Sequence, residues 1–142
     1  MIPTVLDAIC ALPIVPVKSP PIFDPEMSGV LMKLRLPLPS VERTHDVLIP
    51  GKDLCINILQ NNQQEISNLC SSKQLESERF KNDFWDIVNI PFIKDAQSNI
   101  FCKVEETIPY HTHKIVIASV KSSQSADTFN TLMYADGGYL AR

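Results

Sequence analysis

The chain reads as a mainly β protein, an antiparallel barrel or sandwich with short helices set between its strands. Three observations predict this. Five or six short segments carry strand-like apolar patterns and are separated by proline, glycine and polar turns. Only two or three stretches show helical spacing of apolar residues, and all are short. No G-x-G-x-x-G follows a strand and opens a helix, so a doubly wound nucleotide-binding sheet is not expected.

Residues 1–25 hold Pro3, Pro13, Pro16, Pro20, Pro21 and Pro25. Proline removes a backbone donor and fixes φ, so this stretch is expected to be an irregular arm with at most a short strand at 14–18. The folded domain is expected over 26–142. Residues 29–36 end in alternation, with Leu34 and Leu36 on one face and Lys33 and Arg35 on the other. Pro37 and Pro39 are expected to end that strand, and Ser40 to cap a short helix over 41–49. Pro50-Gly51 signals a turn. Residues 53–59 form a second strand, with Leu54, Ile56 and Ile58 facing one way and Asn57 the other.

Residues 61–72 turn helical, because Ile66, Leu69 and Cys70 recur at helical spacing. A second short helix is expected over 77–85, and Ile90-Pro91 breaks the pattern. Residues 100–105, 114–121 and 132–134 read as strands. The stretch 122–131 reads as a polar surface loop, and Gly137-Gly138 as a tight turn.

The chain is 142 residues long, enough for one domain with a real core. Its 13 basic and 16 acidic residues give a net charge of −3, and no basic block exists. Nucleic-acid binding therefore has no electrostatic support. The apolar run over 5–17 carries Asp7 and is broken by Pro13 and Pro16, so it suits neither a membrane-spanning helix nor a signal peptide. The four cysteines form no C-x-x-C pair, and three lie in apolar patterns. They read as reduced core residues, which points to the cytoplasm or another reducing compartment such as the mitochondrial matrix.

His113 opens the clearest strand pattern, Thr112-His113-Lys114-Ile115-Val116-Ile117-Ala118-Ser119-Val120. On the residues alone it is either a loop histidine or a hydrogen-bonding group near neutral pH. His111 and His113 could offer two metal ligands from one strand face, but zinc needs three or four and nothing nearby completes the set, so no metal is expected. Ser40-Val41-Glu42-Arg43-Thr44-His45 reads as a capped surface helix or as an anion-binding helix start. Asn57 reads as structural or as lining a cavity. Arg79 reads as solvated or as a phosphate ligand, and Trp85 as a packing residue. There is no Ser-His-Asp order, glycine-rich phosphate loop or H-E-x-x-H.

Taken in order, Arg43-Thr44-His45-Asp46, Leu54-Cys55-Ile56-Asn57-Ile58-Leu59, Glu78-Arg79-Phe80, the His113 strand and Leu132-Met133-Tyr134 with Gly137-Gly138-Tyr139 resemble the flavin reductase-like, FMN-binding split-barrel family. The resemblance runs from about Asp24-Pro25 to Tyr139. It departs at His111-Thr112, where members carry Gly-Asp, and at Ala118-Ser119, where they carry Gly-Glu. Residues 1–25 also hold no T-A-x-S-F-x-S-V-S-like segment, so the N-terminal strands are expected to be incomplete.

The resemblance implies an antiparallel Greek-key split β-barrel with two or three short helices. It implies an FMN-binding, NAD(P)H-dependent flavin reductase, with FAD as the other flavin. His113 would meet the nicotinamide, Ser40, Arg43, Thr44 and Asn57 would hold the flavin, and Arg79 would aid phosphate binding. A homodimer and a partner oxygenase are implied as well, with no nucleic acid and no membrane. The alternative is a degenerate or truncated split-barrel module that dimerises or binds a ligand without catalysis.

Overall fold

The computed structural model describes residues 8–10, 33–39, 47–72 and 74–140, the first two stretches by their backbone. Among the described residues nine strands follow one another: β1 Ala8–Cys10, β2 Lys33–Pro39, β3 Asp53–Ile58, β4 Trp85–Asp86, β5 Phe92–Ile93, β6 Ser98–Tyr110, β7 His113–Ser125, β8 Tyr134–Ala135 and β9 Gly138–Tyr139. One α-helix, α1 at Gln64–Ser71, and a 3-10 turn at Glu76–Glu78 lie between β3 and β4. The main sheet has five strands in the order β1-β3-β6-β7-β2, and the pairs β4-β5 and β8-β9 stand apart from it. The protein is therefore mainly β with few helices, as its patterning predicts.

The pairing is antiparallel except at one edge. There β1 runs parallel to β3, with Ile9 opposite Ile56. The expected irregular arm thus contributes a short strand, at 8–10; residues 14–18 lie outside the described residues. No local pattern marks so short a strand, which takes its hydrogen bonds from the edge of β3.

Other differences have equally local causes. Strand β2 runs through Pro37 and Pro39, which pair with Ile115 and His113. Proline is tolerated there because β2 is the last strand of the sheet, where one side of the backbone needs no ladder bond. Strands β6 and β7 are both longer than their apolar patterns. Ser122 and Ser125 pair with Phe101 and Ser98, so part of the expected polar loop is strand. Its side chains are all exposed, which hides the alternation. Of the expected helix over 41–49, residues 41–46 lie outside the described residues; Val47 is helical and Leu48 is not.

The second short helix does not form. Its place is taken by the 3-10 turn and by β4, where Trp85 pairs with Ile93. The Asn82 side chain accepts from the Phe84 amide, which favours a turn, and Phe80, Phe84 and Trp85 still reach the apolar cluster without a helix. The C-terminal turn centres on Asp136-Gly137, both at positive φ, with Gly138 already in β9. Two left-handed central residues are the type I′ form of a two-residue hairpin.

Two apolar clusters hold the molecule together. Leu48, Leu54, Ile56, Cys102, Val104, Val116 and Ala118 pack on one face of the main sheet. Leu59, Ile66, Trp85, Ile93, Ala96 and Leu132 form the second cluster, which gathers α1 and the loops beside it, with Phe80 and Phe84 at its margin. Among the described residues no helix is long and apolar enough to cross a membrane.

Candidate functional site

The five-stranded sheet has two chemically distinct ends. At one, β6 and β7 are joined by the two residues His111 and Thr112, with Tyr110 opposite His113. His111 closes the turn at φ 50°, in the left-handed region that a two-residue connection uses. The Tyr110 and His111 rings meet edge to face, 4.7 Å apart. His113 is exposed, and its Nδ1 lies 3.0 Å from Thr112 Oγ1. Val116 and Ala118 are fully buried in the core. By strand alternation His113 therefore shares the opposite, more open face with Ile115 and Ile117.

On its other side His113 pairs with Pro39, the last residue of β2. Ser40 is the next residue in the chain, and Ser40, Arg43 and Thr44 all lie outside the described residues. The hairpin mouth itself carries His111, Thr112, His113 and Lys114, four hydrogen-bonding side chains without a carboxylate among them. That donor set suits an anionic or acceptor-rich ligand. His111 sits in the turn and His113 in the strand, so the two are not the i, i+2 pair of one strand face. Among the described residues no group of three or more His, Cys, Asp or Glu side chains is placed to hold a metal.

The other end of the sheet is a buried amide network. Asn57 is fully buried, and its Oδ1 accepts from the Ile93 amide at 2.9 Å and from Asn99 Nδ2 at 2.8 Å. Asn99 Nδ2 also lies 3.1 Å from the Ile93 carbonyl, and Gln124 Nε2 donates to Asn99 Oδ1 at 2.9 Å. Uncharged amides can satisfy each other in a dry site where a charge would be costly. Nearby glutamines do similar work: Gln63 donates to the Lys94 carbonyl, and Gln97 Oε1 accepts from the Asn130 amide. Asn99 and Gln124 escape a reading of single strands. Their only signal is a polar residue within a strand, and their partners come from other strands.

Arg79 belongs to this second end. Its Nη2 donates to the Ser72 carbonyl at 3.1 Å, just past α1, where a cation complements the helix terminus. Its Nε is buried and has no hydrogen-bond partner among the described residues. Its own carbonyl accepts from Trp85 Nε1 at 2.6 Å, and the Trp85 and Phe80 rings pack 4.8 Å apart. Trp85 is thus a packing residue with its polar tip satisfied.

The single chain does not bring all the expected site residues together. Asn57 is level with Asn99 at the start of β6, and His113 is level with Tyr110 at its end. At about 3.3 Å per residue, the stretch from Asn99 to Tyr110 separates these two levels by up to roughly 36 Å along β6.

Cys55, Cys70 and Cys102 are free thiols. Burial, together with the nearby Cys102, pushes Cys55 up to about 12 against a small opposing effect of the Ile100 backbone. Burial pushes Cys102 up to about 11. Neither forms a thiolate near neutral pH, so neither has nucleophilic character.

Comparison with known proteins adds the following. Residues 22–141 match the sequence model of the flavin reductase like domain. The FMN reductase (NADH) RutF of Pseudomonas syringae pv. syringae is 30% identical over 92 residues, covering 63% of this chain and 52% of that protein. The reductase component of the FADH(2)-dependent resorcinol hydroxylase of Rhizobium sp. is 29% identical over 99 residues, covering 68% and 55%. The chain thus spans about half the length of the curated relatives it matches. A candidate flavin reductase from Haemophilus somnus superposes with a TM-score of 0.68 at 26% identity, covering 76% of this chain and 70% of that one. The NADH:FAD oxidoreductase of Streptomyces globisporus, solved with NAD and FAD fragments, gives 0.69 at 12% identity, covering 78% and 67%, a likeness of fold alone.

Proposed function

Because the chain belongs to the flavin reductase like domain family, we propose that it is an FMN-binding oxidoreductase that takes electrons from NAD(P)H, with FAD as an alternative flavin. The observation that carries this reading is the hairpin mouth: an exposed His113 held against Thr112, beside the end of β2. The donors His111, His113 and Lys114 fit a flavin or nicotinamide, which present carbonyls, a carboxamide and phosphates as acceptors. When bound, the flavin carries the electrons, and the protein supplies orientation and electrostatics.

In this reading His113 donates a hydrogen bond to the nicotinamide carboxamide. Ser40 and Thr44 hold the flavin through their hydroxyls, and Arg43 neutralises its phosphate. Asn57 and Arg79 serve the site at one remove. The first pins the loop at Ile93, and the second secures the end of α1. The domain spans 26–142, with the strand at 8–10 of the preceding arm added to its edge, and its architecture is the Greek-key split barrel. We further propose a homodimer and an oxygenase as consumer of the reduced flavin. The resorcinol hydroxylase relative, itself a reductase component, supports the latter.

Titration of the purified chain with FMN, followed by NADH oxidation, tests the reading. Quenched flavin fluorescence and turnover are expected. His113→Ala should raise the KM for NADH about tenfold, the loss of one hydrogen bond of about 1.4 kcal/mol, with FMN affinity retained. A folded chain that leaves FMN and FAD unbound would instead assign it to the non-catalytic module.

A further inference from the structure

The β6–β7 turn contains a contact whose consequence reaches past the hairpin. Thr112 Oγ1 stands 3.0 Å from His113 Nδ1, between adjacent residues on an exposed turn. The ring of His113 is solvent-exposed. Tyr110, opposite His113 in the ladder, has its ring packed edge to face against His111. Packing therefore does little to fix the imidazole, whose second torsion is broad. The threonine side chain is different. It is β-branched and stiff at χ1, and it sits in a turn closed by the left-handed His111. Its hydroxyl can both donate and accept, so it bonds Nδ1 in either neutral tautomer. With Nδ1 engaged, Nε2 is the nitrogen directed away from the turn.

We propose that Thr112 is a positioning residue for His113: it occupies Nδ1, restricts the ring to one orientation and presents Nε2 to an incoming carboxamide such as that of NADH. This rests on the reading that His113 meets the nicotinamide. In this role Thr112 acts through the histidine, with its hydroxyl committed to Nδ1.

Two substitutions in the full chain separate the possibilities. Thr112→Val keeps the shape and β-branching but removes the hydroxyl, and Thr112→Ser keeps the hydroxyl. Ring 15N signals and side-chain couplings of His113, recorded without ligand, report its orientation. A single rotamer is expected in the parent and in Thr112→Ser, and averaging in Thr112→Val. With FMN bound, Thr112→Val should raise the KM for NADH by about three- to tenfold while kcat changes little, and Thr112→Ser should restore it. Unchanged ring signals and KM in Thr112→Val would overturn the proposal, as would a serine variant that behaves like valine. If His113→Ala leaves the KM for NADH unchanged, the functional reading falls. The ligand-free ring signals then judge the Thr112 contact alone, and loss of order in the valine variant still supports it.

Discussion

Cys55 and Cys102 show how burial sets the chemistry of a single residue. Both thiols are raised above their ordinary value of 9.0, to about 12 and about 11. The folded protein keeps these protons at pH values where the unfolded chain has released them. Their contribution to stability is therefore whole below about pH 9 and is lost as the pH climbs through 11 and 12. Denaturant midpoints measured from pH 8 to pH 11 should fall above pH 9, and this part of the fall should vanish in a Cys55→Ala, Cys102→Ala double variant. Alkylation of the native protein at pH 8, mapped by mass spectrometry, should leave both thiols unmodified. The sequence predicted their burial, because both stand in apolar strand patterns. The influence of Cys102 on Cys55 needed the neighbouring strands β3 and β6.

At the scale of elements, the amide network ties β3 to β5, β6 and β7. Asn57 is the hub, since one side-chain oxygen satisfies both the Ile93 amide and the Asn99 side chain. Asn57→Ala would leave two buried donors without that acceptor. A loss of about 2–4 kcal/mol in urea unfolding is expected, at the upper end for one buried polar truncation. Asn57→Ala with a change under about 0.5 kcal/mol would show that water replaces the amide. Little of this network was legible in the chain. A strand pattern marks Asn57 as facing away from Ile56, yet says nothing of its partners 36 and 42 residues away. The helix α1 was legible because its apolar spacing is local, whereas Phe80, Phe84 and Trp85 in the expected second helix reach the same apolar cluster from a 3-10 turn and β4 instead.

Across the whole molecule, the two ends of the sheet separate proposed chemistry from scaffold. His113 at the exposed mouth and Asn57 in the buried network stand up to roughly 36 Å apart along β6. Substitutions that far apart act independently. His113→Ala should shift the KM for NADH and leave the unfolding free energy within about 0.5 kcal/mol of the parent. The double variant with Asn57→Ala should then lose what the single variants lose together, to within about 0.5 kcal/mol. A larger deviation would mean that the two ends communicate.

By itself the sequence determined the class of the protein, the position of β3, α1 and the core of β6 and β7, and the motif order shared with the flavin reductase like domain. All of these rest on local patterns, on side chains that alternate or recur within a few residues. Only the tertiary structure decided where β1 joins the sheet, that β2 continues through two prolines, and that β6 and β7 run 13 residues each. It also decided that Asn57 lies in a buried amide network, that Arg79 bonds the carbonyl at the end of α1, and that His113 is exposed beside the β6–β7 turn. These outcomes depend on partners distant in sequence. Edge or interior, exposed or dry, are properties of the assembled sheet, and no single strand encodes them.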